Sequence, residues 1–282
     1  MPSKTRISVS ELGTLIGTPF APIIIDVCID DDFNADPRLL PGSFRHPFRK
    51  IEDLIPQLRG KKVVVVCQKG LKLSQGAVGL LRGADVDARY LSGGNFAWRD
   101  AGEILVPYAR IPFQPEGGTL WVTRERPKID RIACPWLIRR FIDPGARFMF
   151  VEPDSVELIA EKFSATPFDI DGVLWSHRGE RCTFDVMLEE FDLMTEPLKR
   201  LARIVRGADT NKHDLAPEAS GLMAMSLGLS ALYDDDLRQL EAGMALYDAF
   251  YFWARDAFNE GHDWKPEGKS QPSEAPVGGV RA

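Results

Sequence analysis

The chain has few cysteines, no excess of positive charge and no long apolar run. Its 282 residues hold four cysteines, at 28, 67, 134 and 182, and no two of them form a Cys-x-x-Cys pair. That is too sparse for a disulfide framework and fits a reducing compartment. Each of the four is first a candidate small buried hydrophobe. The net charge of −6 argues against nucleic acid as the main partner. No apolar stretch approaches the ~20 residues of a membrane span. The opening MPSKTRISVSELGTLIG lacks the apolar core of a signal peptide. These absences together predict a cytoplasmic protein with no membrane partner. No internal repeat is visible.

What is present is globular: 44% of residues are hydrophobic and 27% charged. The length suffices for two ordinary domains, either long enough to bury a core. In SVSELGTLIG, Ser8 or Ser10 can cap a short helix with Leu12, Leu15 and Ile16 on one face. PIIIDV reads as a buried strand ending at Asp26, and KIEDLIPQL as a short helical piece. KKVVVVC is β-branched throughout and belongs at the centre of a parallel sheet. SQGAVGLLRGA reads as a helix ending near Gly83, and ARYLSGG as a strand and turn. This alternation predicts an α/β parallel-sheet domain over residues 1–106.

Residues 107–118, PYARIPFQPEGG, hold three prolines and two glycines and read as a linker. Residues 119–262 then read as strand, loop, helix and strand, with helices dominating from about Pro153: a mainly helical α+β domain. Asp130 can cap a helix around Ile132–Phe141, which Pro144-Gly145 follow. EPLKRLARIVRGAD sets Leu198, Leu201, Ile204 and Val205 on one side. SGLMAMSLGLSAL and the segment after it follow the same amphipathic logic, and Tyr247, Phe250, Tyr251 and Trp253 read as helix packing. The tail, 263–282, is rich in Pro, Gly, Ser and charge and reads as disordered.

Cys67 ends the clearest strand and precedes the turn Gln68, Lys69, Gly70, Leu71, Lys72 and a helix. Open α/β sheets build their sites at such strand ends. Loop and helix-terminal amides stabilise a thiolate, and Lys69 and Lys72 add to the field. Gly70 lets the backbone curl with amides inward. A cysteine so placed is activated without a histidine base.

IIIDVC, LLPGSFRHPF, CQKGLKLSQGA and LSGGNFAW stand in this order over about 100 residues. In that order and spacing they resemble the rhodanese domain. The resemblance implies that Cys67 is the nucleophile that accepts a sulfane sulfur as a persulfide. Gln68 to Lys72 would be its cradle, Asp26 a support residue, and Gly93, Gly94 and Trp98 structural. It implies a donor such as thiosulfate, a thiol or cyanide acceptor, and no required cofactor. Cysteine phosphatases place Arg six positions after the nucleophile; here position 73 is Leu and the basic residue is Lys72. One departure stands out. Rhodaneses usually carry Arg after Asp-Val, where this chain has Cys28. Two readings of Cys28 stand, ordinary packing or a resolving thiol for Cys67.

WVTRERPKIDRIACPWLIRRFIDPGARFMFV, PFDIDG, SHRGERCTFDVMLEEF, LARIVRGAD and YDAFYFWAR resemble the C-terminal domain of the chromate-resistance proteins of the ChrB type. The DNA-binding half of that family's regulators is replaced here by the rhodanese-like segment, so DNA binding is not carried across. Arg124, Lys128 and Arg131 precede a helix and are candidates to hold an oxyanion such as chromate or sulfate, or else form a solvated basic face. Arg139 and Arg140 read as surface residues. His177, Cys182 and Asp185, with Asp209 and His213, are candidate ligands of zinc or iron. The plain alternative makes Cys182 core and His177 a hydrogen-bonded loop residue. Cys134 reads as core. The leading expectation is a sulfurtransferase-type enzyme linked to chromate or oxyanion stress. The alternative is a non-catalytic chromate or redox sensor that uses Cys67, and a weaker third reading is a thiol reductase that uses Cys67 and Cys28.

Overall fold

The computed structural model describes residues 5–112 and 118–261. The centre of the expected linker and the whole of 263–282 lie outside the described residues. The first half contains strands β1 (Arg6–Ile7), β2 (Ile23–Asp26), β3 (Arg38–Leu39), β4 (Ser43–Arg45), β5 (Lys62–Val66), β6 (Asp87–Leu91) and β7 (Val106–Pro107). Between them run helices α1 (Val9–Gly13), α2 (Asp30–Asn34), α3 (Ile55–Leu58), α4 (Lys72–Gly83) and α5 (Gly94–Asp100). Ser8 caps α1 and Glu11 reciprocates.

Five strands form one all-parallel sheet in the order β1-β6-β5-β2-β4. The β-branched run sits at its centre because both faces are covered: Val63 to Val66 are each at most 2% exposed. β2 and β5 pair with Asp26 opposite Val66. The chain therefore leaves both strands at the same edge, and Cys28 and Cys67 emerge side by side there. β3 and β7 form a separate antiparallel pair, so Pro107 belongs to a strand rather than to free linker.

The second half has strands β8 (Leu120–Arg124), β9 (Arg147–Val151) and β10 (Thr166–Pro167), parallel in the order β10-β8-β9. Its helices are α6 (Asp130–Leu137), α7 (Val156–Phe163), α8 (Thr183–Glu190), α9 (Glu196–Asp209), α10 (Ala219–Leu232) and α11 (Asp236–Phe252). Pro135 lies inside α6 and supplies no amide, and the helix widens into a π turn at Ile138–Ile142. Trp136 is the hub of the helical core, with Phe141, Phe184, Tyr247 and Tyr251 around it. Among the described residues no helix is long and apolar enough to cross a membrane.

Two local expectations change. α10 turns a mixed face inward: Ala219 and Leu222 are buried but so are Ser226 and Ser230, while Met225, Leu227 and Leu232 are exposed. The small serines allow close approach, and the Ser230 carbonyl and hydroxyl accept from the Arg126 guanidinium, which an apolar residue could not fully satisfy. Nor does Asp130 cap its own helix. The residue before α6 is Ile129, in a positive-φ conformation (39°) that a β-branched side chain rarely adopts. Asp130 is thereby turned inward, where its Oδ2 accepts the amides of Thr183 at 2.5 Å and Phe184 at 3.4 Å, at the start of α8. It caps a different helix.

The two halves also share a core. One cluster joins Leu12, Ile24, Val64 and Trp98 to Trp121, Trp136 and Phe141. The Phe141 ring lies against Gly17, where any side chain would collide with it, and the Gly42 amide donates to the Phe141 carbonyl at 2.6 Å. A second cluster, on the other face of the sheet, belongs to the first half alone. Phe141 is 1% exposed, so Phe141→Ala should cost about 3–5 kcal/mol. Because its cavity opens between the halves, calorimetry should show one transition moved as a unit; two separately moving transitions would contradict the shared core.

Candidate functional site

Cys67 follows β5 directly and is 5% exposed. Its carbonyl accepts the Asn95 amide at 3.0 Å, and the Gln68 carbonyl accepts the Phe96 amide at 3.0 Å. The loop is thus laced to the start of α5. Gly70 and Gly94 have φ of 64° and 61° and touch backbone to backbone, and a Cβ on Gly94 would land on the Cys67 carbonyl oxygen. The Cys67 thiol donates to the Ser74 hydroxyl at 3.2 Å, and that hydroxyl donates to the Leu71 carbonyl at 3.2 Å. Gln75 Nε2 donates to the Gly70 carbonyl at 3.1 Å. α4 begins at Lys72, so its unpaired first amides follow the loop immediately. Lys69, Leu71 and Lys72 are exposed, and Gln68 is half-buried.

Asp26 is fully buried beside this loop. Its Oδ1 accepts the Cys28 amide at 2.8 Å and its Oδ2 accepts Asn95 Nδ2 at 2.9 Å. Asn95 Nδ2 also lies 3.5 Å from Cys28 Sγ. Burial pushes the Cys28 thiol well up, and the charge of Asp26 adds to the effect, with a smaller contribution from Cys67. The two thiols are therefore neighbours that feel one another. Cys134 and Cys182 are buried in the second half, and burial likewise holds their thiols protonated.

The second half assembles another cluster. His177 Nε2 stands 3.5 Å from Asp130 Oδ2, 3.5 Å from Asp169 Oδ1 and 3.2 Å from Asp209 Oδ2. Asp169 also accepts the Thr183 hydroxyl at 2.8 Å and pairs with Arg124 at 3.1 Å and Arg131 at 3.4 Å. Burial opposes ionisation of Asp169, but the bonds from His177 and Thr183 and the two guanidinium charges hold its carboxyl below the usual range. Asp130 shares the His177 bond but has no guanidinium paired with it: burial first, then repulsion from Asp209, pushes its carboxyl up. Among the described residues its buried Oδ1 has no hydrogen-bond partner. The imidazole of His177, bonded to Asp130, Asp169 and Asp209, is pushed up to about 12. A cavity of about 610 Å³ opens onto His177, Ser176 and Arg124.

The model of the rhodanese-like domain matches residues 8–101, and that of the ChrB C-terminal domain matches residues 121–254. The chain is a rhodanese-like domain followed by a ChrB C-terminal domain. Protein ChrB of Cupriavidus metallidurans is 38% identical over 149 residues, 50% of this chain and 42% of that protein. The chain thus covers less than half the length of this relative. A rhodanese-related protein from Thermoplasma volcanium is 22% identical over 36% of this chain and 96% of its own, with a TM-score of 0.31. A rhodanese-like domain protein from Staphylococcus aureus is 24% identical over 33% of this chain and 90% of its own, with a TM-score of 0.30.

In the rhodanese-like domain, Asp26 and Gln68 to Lys72 surround Cys67, but Ser74 and Asn95 were not expected. Ser74 is visible in hindsight as a hydroxyl on the buried face of α4, one turn beyond the cradle. In the ChrB C-terminal domain, Arg124 and Arg131 do converge on an anion, but it is the protein's own Asp169; Lys128 is exposed. Arg139 and Arg140 are only about a fifth exposed and pair with Glu241 and Asp248, because they flank the packed π turn. His177 and Asp209 come together, while Cys182 and Asp185 form the N-terminal cap of α8 and Asp185 pairs with Arg206 at 3.2 Å. His213 lies on a short turn after α9, outside the group of ligand atoms around His177. Asp130 and Asp169 went unread as site residues, since one resembles a cap and the other a loop acid.

Two outcomes follow from this geometry. Gly94→Ala should destabilise the chain by about 1–3 kcal/mol in urea unfolding, since loop and α5 must part; an unchanged midpoint would show that the loop is not held there. His177 is raised above its ordinary value of 6.5. Its charge therefore stabilises the fold fully below that value, and the contribution is lost as pH climbs toward about 12. In chelator-treated protein at pH ~8, ring NMR should still find His177 doubly protonated, and Asp209→Asn should lower its midpoint.

Proposed function

We propose that the chain is a sulfurtransferase-type protein that carries sulfane sulfur on Cys67. The reading rests on one arrangement: a thiol at the end of the central strand, bonded to Ser74 and set in a tight loop against the open amides of α4. Once its proton has left to solvent, the Cys67 thiolate attacks the outer sulfur of thiosulfate. A new S–S bond forms, the old one breaks, and sulfite leaves with the bonding pair. The loop amides offset the negative charge of the resulting persulfide. A thiolate or cyanide then attacks the terminal sulfur, and Cys67 leaves as thiolate. No external electron carrier is needed.

Leu73 in place of an arginine and the close Gly70–Gly94 contact leave a small cradle, which suits one sulfur atom better than a phosphate group. Linkage to chromate or another oxyanion stress comes with the ChrB C-terminal domain. A sensor reading is favoured only by Cys28, which stands beside Cys67 where a disulfide would report an oxidant.

Reduced wild type should transfer sulfur from thiosulfate to cyanide and gain the mass of one sulfur atom from thiosulfate alone. Cys67→Ser should do neither. If wild type does neither, and mild oxidation yields a Cys28–Cys67 disulfide by intact mass, the sensor reading replaces this one.

A further inference from the structure

We propose that Asp130, His177 and Asp209 form a binding site for a first-row divalent cation of the manganese(II) type. Each offers one ligand atom, and the three atoms lie within 4.8 Å of one another. An ion held about 2.0–2.2 Å from nitrogen and oxygen donors sets neighbouring donors roughly 3 Å apart. His177 Nε2 stands 3.2 Å from Asp209 Oδ2 and 3.5 Å from Asp130 Oδ2, close to that spacing without rearrangement of the backbone.

A salt bridge centred on His177 accounts for less than the whole cluster. Asp169 is matched by Arg124, Arg131 and Thr183. Asp130 and Asp209 share one imidazole between them. The Asp130 side chain is 1% exposed, yet among the described residues its Oδ1 has no hydrogen-bond partner. Buried carboxylate oxygens in that condition are costly and rare. The carboxylate is also fixed in place: the Thr183 and Phe184 amides hold Oδ2 against His177. A dication that displaces the Nε2 proton of His177 to solvent supplies the charge and the coordination that this carboxylate lacks.

The surroundings favour a cation over an oxyanion. The adjoining cavity is lined by Asp154, Glu157, Asp169 and Asp171 against Arg124 and His177, so acids outnumber bases and its field draws positive ions. The donors favour the ion class. Two carboxylates and one imidazole, with no thiolate among them, suit manganese(II) or iron(II) better than a sulfur-rich zinc site. Asp169, whose Oδ1 lies 3.5 Å from the same Nε2, is locked by two arginines and stands beside the ligand set, adding negative charge next to it.

The test uses the full chain, stripped with chelator and titrated with Mn2+. Loss of the free-ion EPR signal should report one site per chain, and the ion should raise the thermal midpoint. His177→Gln removes a ring that is 41% exposed, so the fold should survive while the uptake is lost. Asp130→Asn should lose uptake too, and Asp169→Asn should weaken it about 10–100-fold. His213→Gln and Cys67→Ser should bind as wild type, which separates this site from the sulfur chemistry. The proposal is overturned if wild type takes up neither Mn2+ nor Zn2+ stoichiometrically, if His177→Gln binds as wild type, or if His213→Gln abolishes binding.

Discussion

The second half of the molecule is organised around one buried carboxylate. Asp130 is wholly removed from water, and a charge there is tolerated only with partners. Its partners come from elsewhere in the chain: the first amides of α8 and the ring of His177, which Asp209 also holds. Meeting those demands fixes α8 against α6 and draws the His177 loop and the end of α9 to the same point. The strained backbone at Ile129 belongs to this arrangement. A β-branched residue at positive φ persists only where its neighbours over-determine it. Here the Ile129 carbonyl accepts from Tyr247 Oη at 3.0 Å and from the Ala133 amide at 2.8 Å.

Both clusters use a helix N-terminus, but in opposite ways. At Cys67 the helix follows the reactive atom in the chain, and its first amides come directly after the loop that holds a buried thiol, with exposed lysines beside it. At Asp130 the helix is a distant one, and its amides are already occupied by the carboxylate. The first arrangement leaves capacity for an arriving negative sulfur. The second leaves an unmet acceptor and so invites a cation. The same dipole therefore supports different chemistry, depending on whether the protein's own anion has already taken it.

This difference also decides what could be read beforehand. The rhodanese-like domain was legible because its site lies within a few residues of Cys67, and the strand, loop and helix that build it each carry a local signature. Even so, Asn95, which ties Asp26 to the loop across 69 residues, was invisible. The ChrB C-terminal domain hides its cluster better. Asp130 reaches Thr183 across 53 residues, and its position at a helix start has an ordinary explanation in capping. His177 and Asp209 were legible as ligand types, but no spacing rule distinguishes them from Asp185 or His213. α10 departs from its expected amphipathic pattern for a related reason. Its serines look outward-facing until the guanidinium of Arg126, some hundred positions earlier, supplies the partner that lets Ser230 be buried.

α8 gives the two domains a physical connection beyond their shared core. Its first residues hold Asp130, and its last, Glu190, pairs with Arg178 at 2.7 Å, on the same loop as His177. Glu190 also meets Arg110 at 3.1 Å, just ahead of the segment that joins the domains. A displacement of α8 along its axis would therefore be felt at the His177 cluster and at the end of the rhodanese-like domain together. Phe141 makes such a displacement costly, since its ring is wedged between Trp136 and Gly17 with no room on either side. Packed interfaces of this kind shift between discrete arrangements rather than deform smoothly. Charge arriving at Asp130 would change the electrostatic load on the N-terminus of α8, whose first amides the carboxylate accepts.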